Sequence, residues 1–462
     1  MVSIESSKIS RILEREESRY VAERPKSQAL FERAKKSLLG GVPMTWMDVW
    51  PGAFPIFVKE GKGTYLTDVD GHRYLDLCLG DTGSMFGYSQ TAVFKAINDQ
   101  MPKGMAHMLP TEDSIWVGEE LKRRFKLPYW QIVMTATDAN RFAIKVAREV
   151  TGRKLTLVYN GCYHGSVDET LVAIFGGITI NNPYTMGPLL DSPEQMTRVI
   201  EFNDIDALEK ALSPKDIACV LAEPAMTDVG IIFPDPGYHE ALRDLTRRFG
   251  TLLIIDETHS LCAGPTGLTG EWGLEPDMLV LGKAIAAGFP AAVFGISQKI
   301  GDKLNARIPW QNFFGFGGTL SGNATAVAAI KATLKDVITQ SNYGKMVPLA
   351  QRLAEGIEKI IKDADLPWYV ARLGCRVEFR FRATPPKNGM EALFEEDVSN
   401  EVDFLEDGLT GPLEKLIHIY LANRGILLSP YHDMALISPE TTSDDVDYYL
   451  KILAECVNGL IA

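Results

Sequence analysis

The chain has 462 residues, 46% of them hydrophobic, enough to bury a large core and, by length, to build one big domain with a smaller companion. Sixty acidic against 47 basic residues leave a formal charge of −13, which argues against nucleic acid or an anionic membrane as partner and leaves small molecules. The six cysteines, at 78, 162, 219, 262, 375 and 456, show no C-x-x-C spacing, so neither a metal site nor a disulfide framework is indicated. The first residues are polar and charged, and no run of apolar residues is long enough for a leader or a membrane span, so the cytoplasm is expected.

Residues 1–39 space apolar side chains by three and four among charges, as in Arg11-Ile12-Leu13-Glu14 and Leu30-Phe31-Glu32-Arg33-Ala34, which predicts helix up to Gly40-Gly41-Val42-Pro43. Gly63–Asp68 and His72–Asp76 flank Val69-Asp70-Gly71, the signature of a hairpin at the entrance to the main domain. From about 92 to 325 short β-rich runs alternate with helix-sized segments: Ile132–Met134, Leu155–Val158, Ala218–Leu221, Leu252–Ile255 and Met278–Leu281. This is the pattern of an α/β fold, with a mainly parallel sheet covered by helices on both faces. Long helical stretches follow (326–338 and 345–362), then a strand at Arg376–Phe381 and a closing helix from Ser443 to Leu460, an α+β domain in which 383–412 reads as a surface loop. The expected division is 1–60, an N-terminal helical segment and arm; 61–325, the large domain; and 326–462, the small one.

Ligands of parallel sheets collect at the carboxyl ends of the strands, so the polar residues closing each run are the candidates. Lys283 follows an apolar strand within Leu281-Gly282-Lys283-Ala284-Ile285; it is either snorkelling outward or held inside as an amine able to form an imine. Asp256 closes Leu252–Ile255, one helix-plus-strand step before Lys283, where it could hold a pyridine nitrogen protonated or simply cap a turn. Thr135, Ala136 and Thr137 open a helix and suit a phosphate, or an ordinary N-cap. Tyr163 and His164 follow another strand, where a ring could stack on a planar cofactor or sit in the core, and Glu223 closes a further strand before Pro224. Gly317–Asn323 is a glycine-rich loop before a helix, by itself a weak sign of a phosphate site.

Taken in order, Thr-Ala-Thr-Asp-Ala, Gly-Cys-Tyr-His-Gly, Ala-Glu-Pro, Ile-Asp-Glu-Thr, Leu-Gly-Lys and Gly-Thr-Leu-Ser-Gly-Asn resemble the class III aminotransferases of the fold type I pyridoxal-phosphate architecture. The likeness covers roughly residues 30 to 460 and is strongest to the glutamate-1-semialdehyde aminomutase branch and its amine-transaminase relatives. It implies pyridoxal 5′-phosphate as cofactor, Lys283 as the Schiff-base lysine, Asp256 at the pyridine nitrogen and Tyr163 stacked on the ring. It further implies Ala136 and Thr137 at the phosphate, Thr319 reaching that phosphate from the neighbouring subunit of a homodimer, and Glu223 near the lysine. Two departures stand out. The relatives' Ser-Gly-Thr-Glu-Ala is here Thr135-Ala136-Thr137-Asp138-Ala139, which keeps the donors, and Gly41–Met47 lacks the arginine with which the aminomutase holds its substrate's carboxylate.

Ser429–Ala435 resembles the segment in which the aminomutase places an acid near its substrate, a role Asp433 would take. A pocket of Trp46, Met47, Met85, Phe86, Tyr431 and Asp433 is expected to favour an apolar or aromatic amine. The resemblance therefore implies an omega or amine transaminase, working by a ping-pong cycle through pyridoxamine phosphate. The alternatives are an aminomutase or a racemase/epimerase on the same scaffold. Ester hydrolysis is more distant: Asp256, His259 and Ser260 are triad residue types, but no G-x-S-x-G elbow accompanies them.

Overall fold

The structure is a computed structural model and describes residues 4–182, 185–189, 191–307, 316–393, 411–430 and 432–461. The chain divides into two compact units: Met1–Ser89 with Gly344–Pro385 and Glu396–Ala462, and Gln90–Tyr343 with Pro386–Glu395. Among the described residues no helix is long and apolar enough to cross a membrane, and all six cysteines are buried and outside any disulfide.

The first unit opens with helices Ser6–Glu23 and Pro25–Ala34, broken at Arg24 because Pro25 has no N–H to continue the first and is suited to start the second. Arg24 is itself buried, with Nε donating to Tyr74 Oη (3.0 Å) and Nη1 to Asn423 Oδ1 (2.9 Å), which ties the helix junction to both a strand and the C-terminal part of the chain. Strands β1 (Val58–Lys62), β2 (Tyr65–Asp68) and β3 (Arg73–Asp76) form an antiparallel meander. The hairpin read from Val69-Asp70-Gly71 is the β2–β3 turn, with Gly71 at φ +100°, a region that L side chains rarely adopt.

The second unit is built on a seven-stranded sheet. Its strands come from β4 (Tyr129–Val133), β5 (Leu155–Tyr159), the small hairpin β6 (Val172–Phe175) and β7 (Ile178–Asn181) that stands apart, β8 (Thr197–Ile200), β9 (Ile217–Ala222), β10 (Leu252–Asp256), β11 (Met278–Leu281) and β12 (Ala292–Ile296). The order is β4-β12-β11-β10-β9-β5-β8. β12 is antiparallel to both β11 and β4, so β4 runs in the same direction as the other five. Every residue of β9, β11 and β12 is buried, which is why these segments read as continuous apolar runs rather than as alternation.

The chain then returns to the first unit through β13 (Tyr369–Leu373), β14 (Arg376–Arg380), β15 (Ile426–Leu427) and β16 (Met434–Leu436). β13, β14 and β16 make one sheet, while β15 pairs in parallel with β3. That pairing groups the hairpin with the C-terminal chain, so the division falls at 89/90 and 343/344 where the sequence suggested 60/61 and 325/326.

The segment expected as a loop at 383–412 is not all loop. Gly389–Leu393 is a short helix, anchored in the second unit by Met390 N donating to Glu201 Oε2 (3.1 Å) and Asn203 Nδ2 to Lys387 O (2.8 Å). Residues 394–410 lie outside the described residues.

Candidate active site

Because β4, β5, β9, β10 and β11 are parallel, their carboxyl ends open on one edge, and each delivers a polar residue there. β10 ends in Asp256, 3% exposed. Its Oδ1 accepts from Thr258 N (3.0 Å) and Thr258 Oγ1 (2.6 Å), and its Oδ2 from Asn140 Nδ2 (2.8 Å), with His164 Nδ1 at 2.9 Å. Burial opposes ionisation, but the hydrogen bonds and charge of His164, with Thr258 and Asn140, outweigh it and bring the carboxyl down to about 2. Asp256 is thus a buried, ionised acid at neutral pH.

His164, wholly buried after β5, is the counterpart. Burial opposes its charging, yet Cys162 and the Asp256 carboxylate raise it well above its ordinary range. Asn140 clamps the pair, donating to His164 O (3.1 Å) as well as to Asp256. Tyr163, next to His164, is half-buried at the same edge.

The helix Ala136–Thr151 starts beside this pair. Thr135 caps it, accepting from Asp138 N (3.1 Å), while Ala136 and Thr137 occupy the first turn, where N–H groups have no acceptor within the helix. Two glycines allow the close fit. A Cβ on Gly165 would lie 2.2 Å from Thr137 Oγ1, and one on Gly282 would lie 2.7 Å from Ala136 Cβ. Both loops therefore press on the helix N-terminus in a way no larger residue permits.

Gly282 leads directly to Lys283, which is half-buried and held at φ +45°, a strained conformation for a residue with a side chain. Lys283 Nζ lies 2.9 Å from His259 Nε2. Glu223, after β9, is buried with Thr227 N donating to Oε1 (3.1 Å) and the Thr227 hydroxyl to Oε2. Burial pushes its carboxyl from 4.5 up to about 7, against the lowering influence of His164.

Thr135, Ala136, Thr137, Tyr163, His164, Glu223, Asp256 and Lys283 all sit at this edge. Thr319 is not part of that cluster within the chain; it is exposed, in a glycine-rich loop whose Asn323 caps the next helix by accepting from Ala326 N (2.8 Å). Asn140, Thr258 and His259 were not singled out for the cofactor site from sequence. Asn140 carried a signal, an amide two residues past Asp138 in a helix face otherwise apolar. The triad suggested by Asp256, His259 and Ser260 does not form: Ser260 Oγ donates to Glu257 Oε2 (2.6 Å), while His259 meets Lys283.

The residues expected around a substrate belong to the first unit and differ in access. Trp46 and Met47 are 43% and 46% exposed, whereas Met85 and Phe86 are 0% exposed. Asp433 is buried at φ +45°, with Oδ1 3.2 Å from His418 Nε2, and with Glu414 they bring three side-chain ligand atoms within 4.8 Å, a set that could hold a metal ion. Asp433 thus lies beside a buried cluster of His418 and Glu414 in its own unit. Tyr431 lies outside the described residues.

This donor set suits pyridoxal phosphate: an ionised carboxylate for a pyridinium, a helix N-terminus with backbone and hydroxyl donors for a phosphate dianion, and an amine on a strained loop beside both. The comparisons agree. The family described as aminotransferase class-III matches residues 46–453. The glutamate-1-semialdehyde 2,1-aminomutase of Desulfitobacterium hafniense (strain DSM 10664 / DCB-2) is 32% identical over 444 residues, covering 94% of this chain and 98% of its own. A crystal structure of a glutamate-1-semialdehyde-aminomutase from Pseudomonas aeruginosa PAO1 is 43% identical with TM-score 0.93, covering 99% of this chain and 100% of that one. An omega-transaminase from Sphaerobacter thermophilus is 26% identical with TM-score 0.83, covering 94% and 98%. The chain belongs to the class-III aminotransferases, fold type I enzymes that use pyridoxal phosphate.

Proposed function

We propose that the chain moves an amino group between neighbouring carbons of one substrate, an aminomutase-type reaction. The observation that carries this reading is the likeness to the P. aeruginosa aminomutase, 43% identical over 99% of the chain. It reverses the order in which sequence alone placed amine transamination ahead of the aminomutase.

When bound, pyridoxal phosphate supplies an electron sink for charge developing on the substrate carbon. Asp256 holds the proton on the cofactor's ring nitrogen, and it can do so because four donors keep it ionised in a buried place. His164 and Asn140 fix the direction of that carboxylate. Thr135, Ala136 and Thr137 hold the phosphate end, with Tyr163 against the ring. Lys283 would hold the cofactor at rest and, as a free amine, would hold and move the proton at the substrate carbon. Glu223, held at both oxygens by Thr227 and about half ionised near pH 7, acts through its charge rather than as a proton carrier. The active form is a homodimer in which Thr319 reaches the neighbouring phosphate.

The second reading, an amine transaminase, is favoured by one specific observation: Gly41–Met47 contains no arginine to hold a substrate carboxylate. Incubating the purified enzyme with glutamate 1-semialdehyde and no acceptor separates the two. An aminomutase yields the isomer carrying nitrogen on carbon 1. No isomer, together with alanine formed from an aromatic amine and pyruvate, overturns the first reading in favour of the second.

A further inference from the structure

We propose that His259 is the base that takes the proton from Lys283 when this lysine bonds to the cofactor; this rests on the reading of Lys283 as the cofactor lysine. An ammonium has no lone pair and cannot attack a carbonyl carbon, so Lys283 must first give up a proton. His259 Nε2, at 2.9 Å from Nζ, is within transfer distance. In the step one proton moves from Nζ to Nε2, the positive charge moves with it, and no other bond changes.

The neighbouring acids are engaged elsewhere. Asp256 accepts at both oxygens from Thr258, Asn140 and His164; Glu223 accepts at both from Thr227; Glu257 accepts from Ser260 Oγ, Leu268 N and Thr269 N. The contact is also built rather than incidental. Lys283 is held at φ +45°, and Gly282 is wedged against Ala136, so the backbone aims the side chain. On the other side, His259 follows the tightly bonded Asp256 and Thr258 and leads into the 3₁₀ turn Ser260–Ala263, which fixes its Cα. His259 touches the reacting nitrogen and so counts as catalytic for attachment of the lysine.

The test measures how fast Lys283 becomes attached to pyridoxal phosphate, not turnover. Apo-protein is mixed with the cofactor, quenched with borohydride at timed intervals, and the labelled peptide is quantified by mass. His259→Gln keeps a hydrogen-bond acceptor but cannot take the proton, and His259→Ala opens a space for added imidazole; His259→Asn is the reserve if Gln does not give a native circular dichroism spectrum. Attachment about a hundredfold slower in both variants, restored by imidazole in His259→Ala alone, is the expected result. Attachment at the wild-type rate in His259→Gln, or no rescue by imidazole, overturns the proposal. A wild-type adduct on a lysine other than 283 removes the underlying reading instead, so the two failures are told apart.

Discussion

The strand-end cluster of the second unit and the expected substrate residues of the first make an instructive contrast. At the sheet edge, eight residues scattered from Thr135 to Lys283 converge because parallel strands must all end on one side. In the first unit, residues grouped by likeness and chemistry alone part company: Trp46 and Met47 meet solvent, Met85 and Phe86 are sealed in, and Asp433 faces His418. Topology constrains a cofactor site far more tightly than it constrains a substrate wall.

That contrast can be broken or sharpened by substitution. Lys283→Ala should lower turnover by about 10⁴-fold or more, measured as product formed by the folded variant. Arg376→Met, deep in the first unit, strands the Glu378 carboxyl, since Arg376 Nε donates to its Oε1 at 2.5 Å and both side chains are nearly inaccessible. It should cost about 3–5 kcal/mol in urea unfolding while Lys283 still takes up cofactor. Asp256→Asn, which cannot hold the ring nitrogen protonated, should slow turnover by about 10²–10³-fold with the protein still folded.

Glu223 gives a pH signature of similar size. Its folded carboxyl is raised from 4.5 to about 7, so the stability it contributes is full below 4.5 and is lost as pH rises through 7. Glu223→Gln should therefore flatten that slope and hold about 3 kcal/mol more relative stability at pH 8 than at pH 4, read from urea melts of the apo-protein. The smallest effect belongs to the exposed wall: Trp46→Ala should change KM by about tenfold or less and leave attachment of the cofactor to Lys283 untouched.

Much of the second unit was legible in the sequence, because buried parallel strands are short apolar runs and their terminal residues stand out against them. Leu252–Asp256 and Met278–Lys283 are such cases. What stayed hidden had weak local signals: β8 is Thr197-Arg198-Val199-Ile200, half polar, and β12 runs against its neighbours, a direction that no residue within Ala292–Ile296 encodes. The signal at Asn140 was weak and His259 was silent for this site, since their roles arise only when Asn140 meets Asp256, 116 residues on, and His259 meets Lys283. The grouping of the β2–β3 hairpin with the C-terminal chain depends on two residues of β15, too short a strand for any periodicity to reveal.

The account stands most directly on which residue holds the cofactor. Borohydride reduction of the enzyme loaded with pyridoxal phosphate, followed by mass analysis of its peptides, should place the pyridoxyl group on Lys283 alone. A pyridoxyl group on any other lysine, or on none, would contradict it.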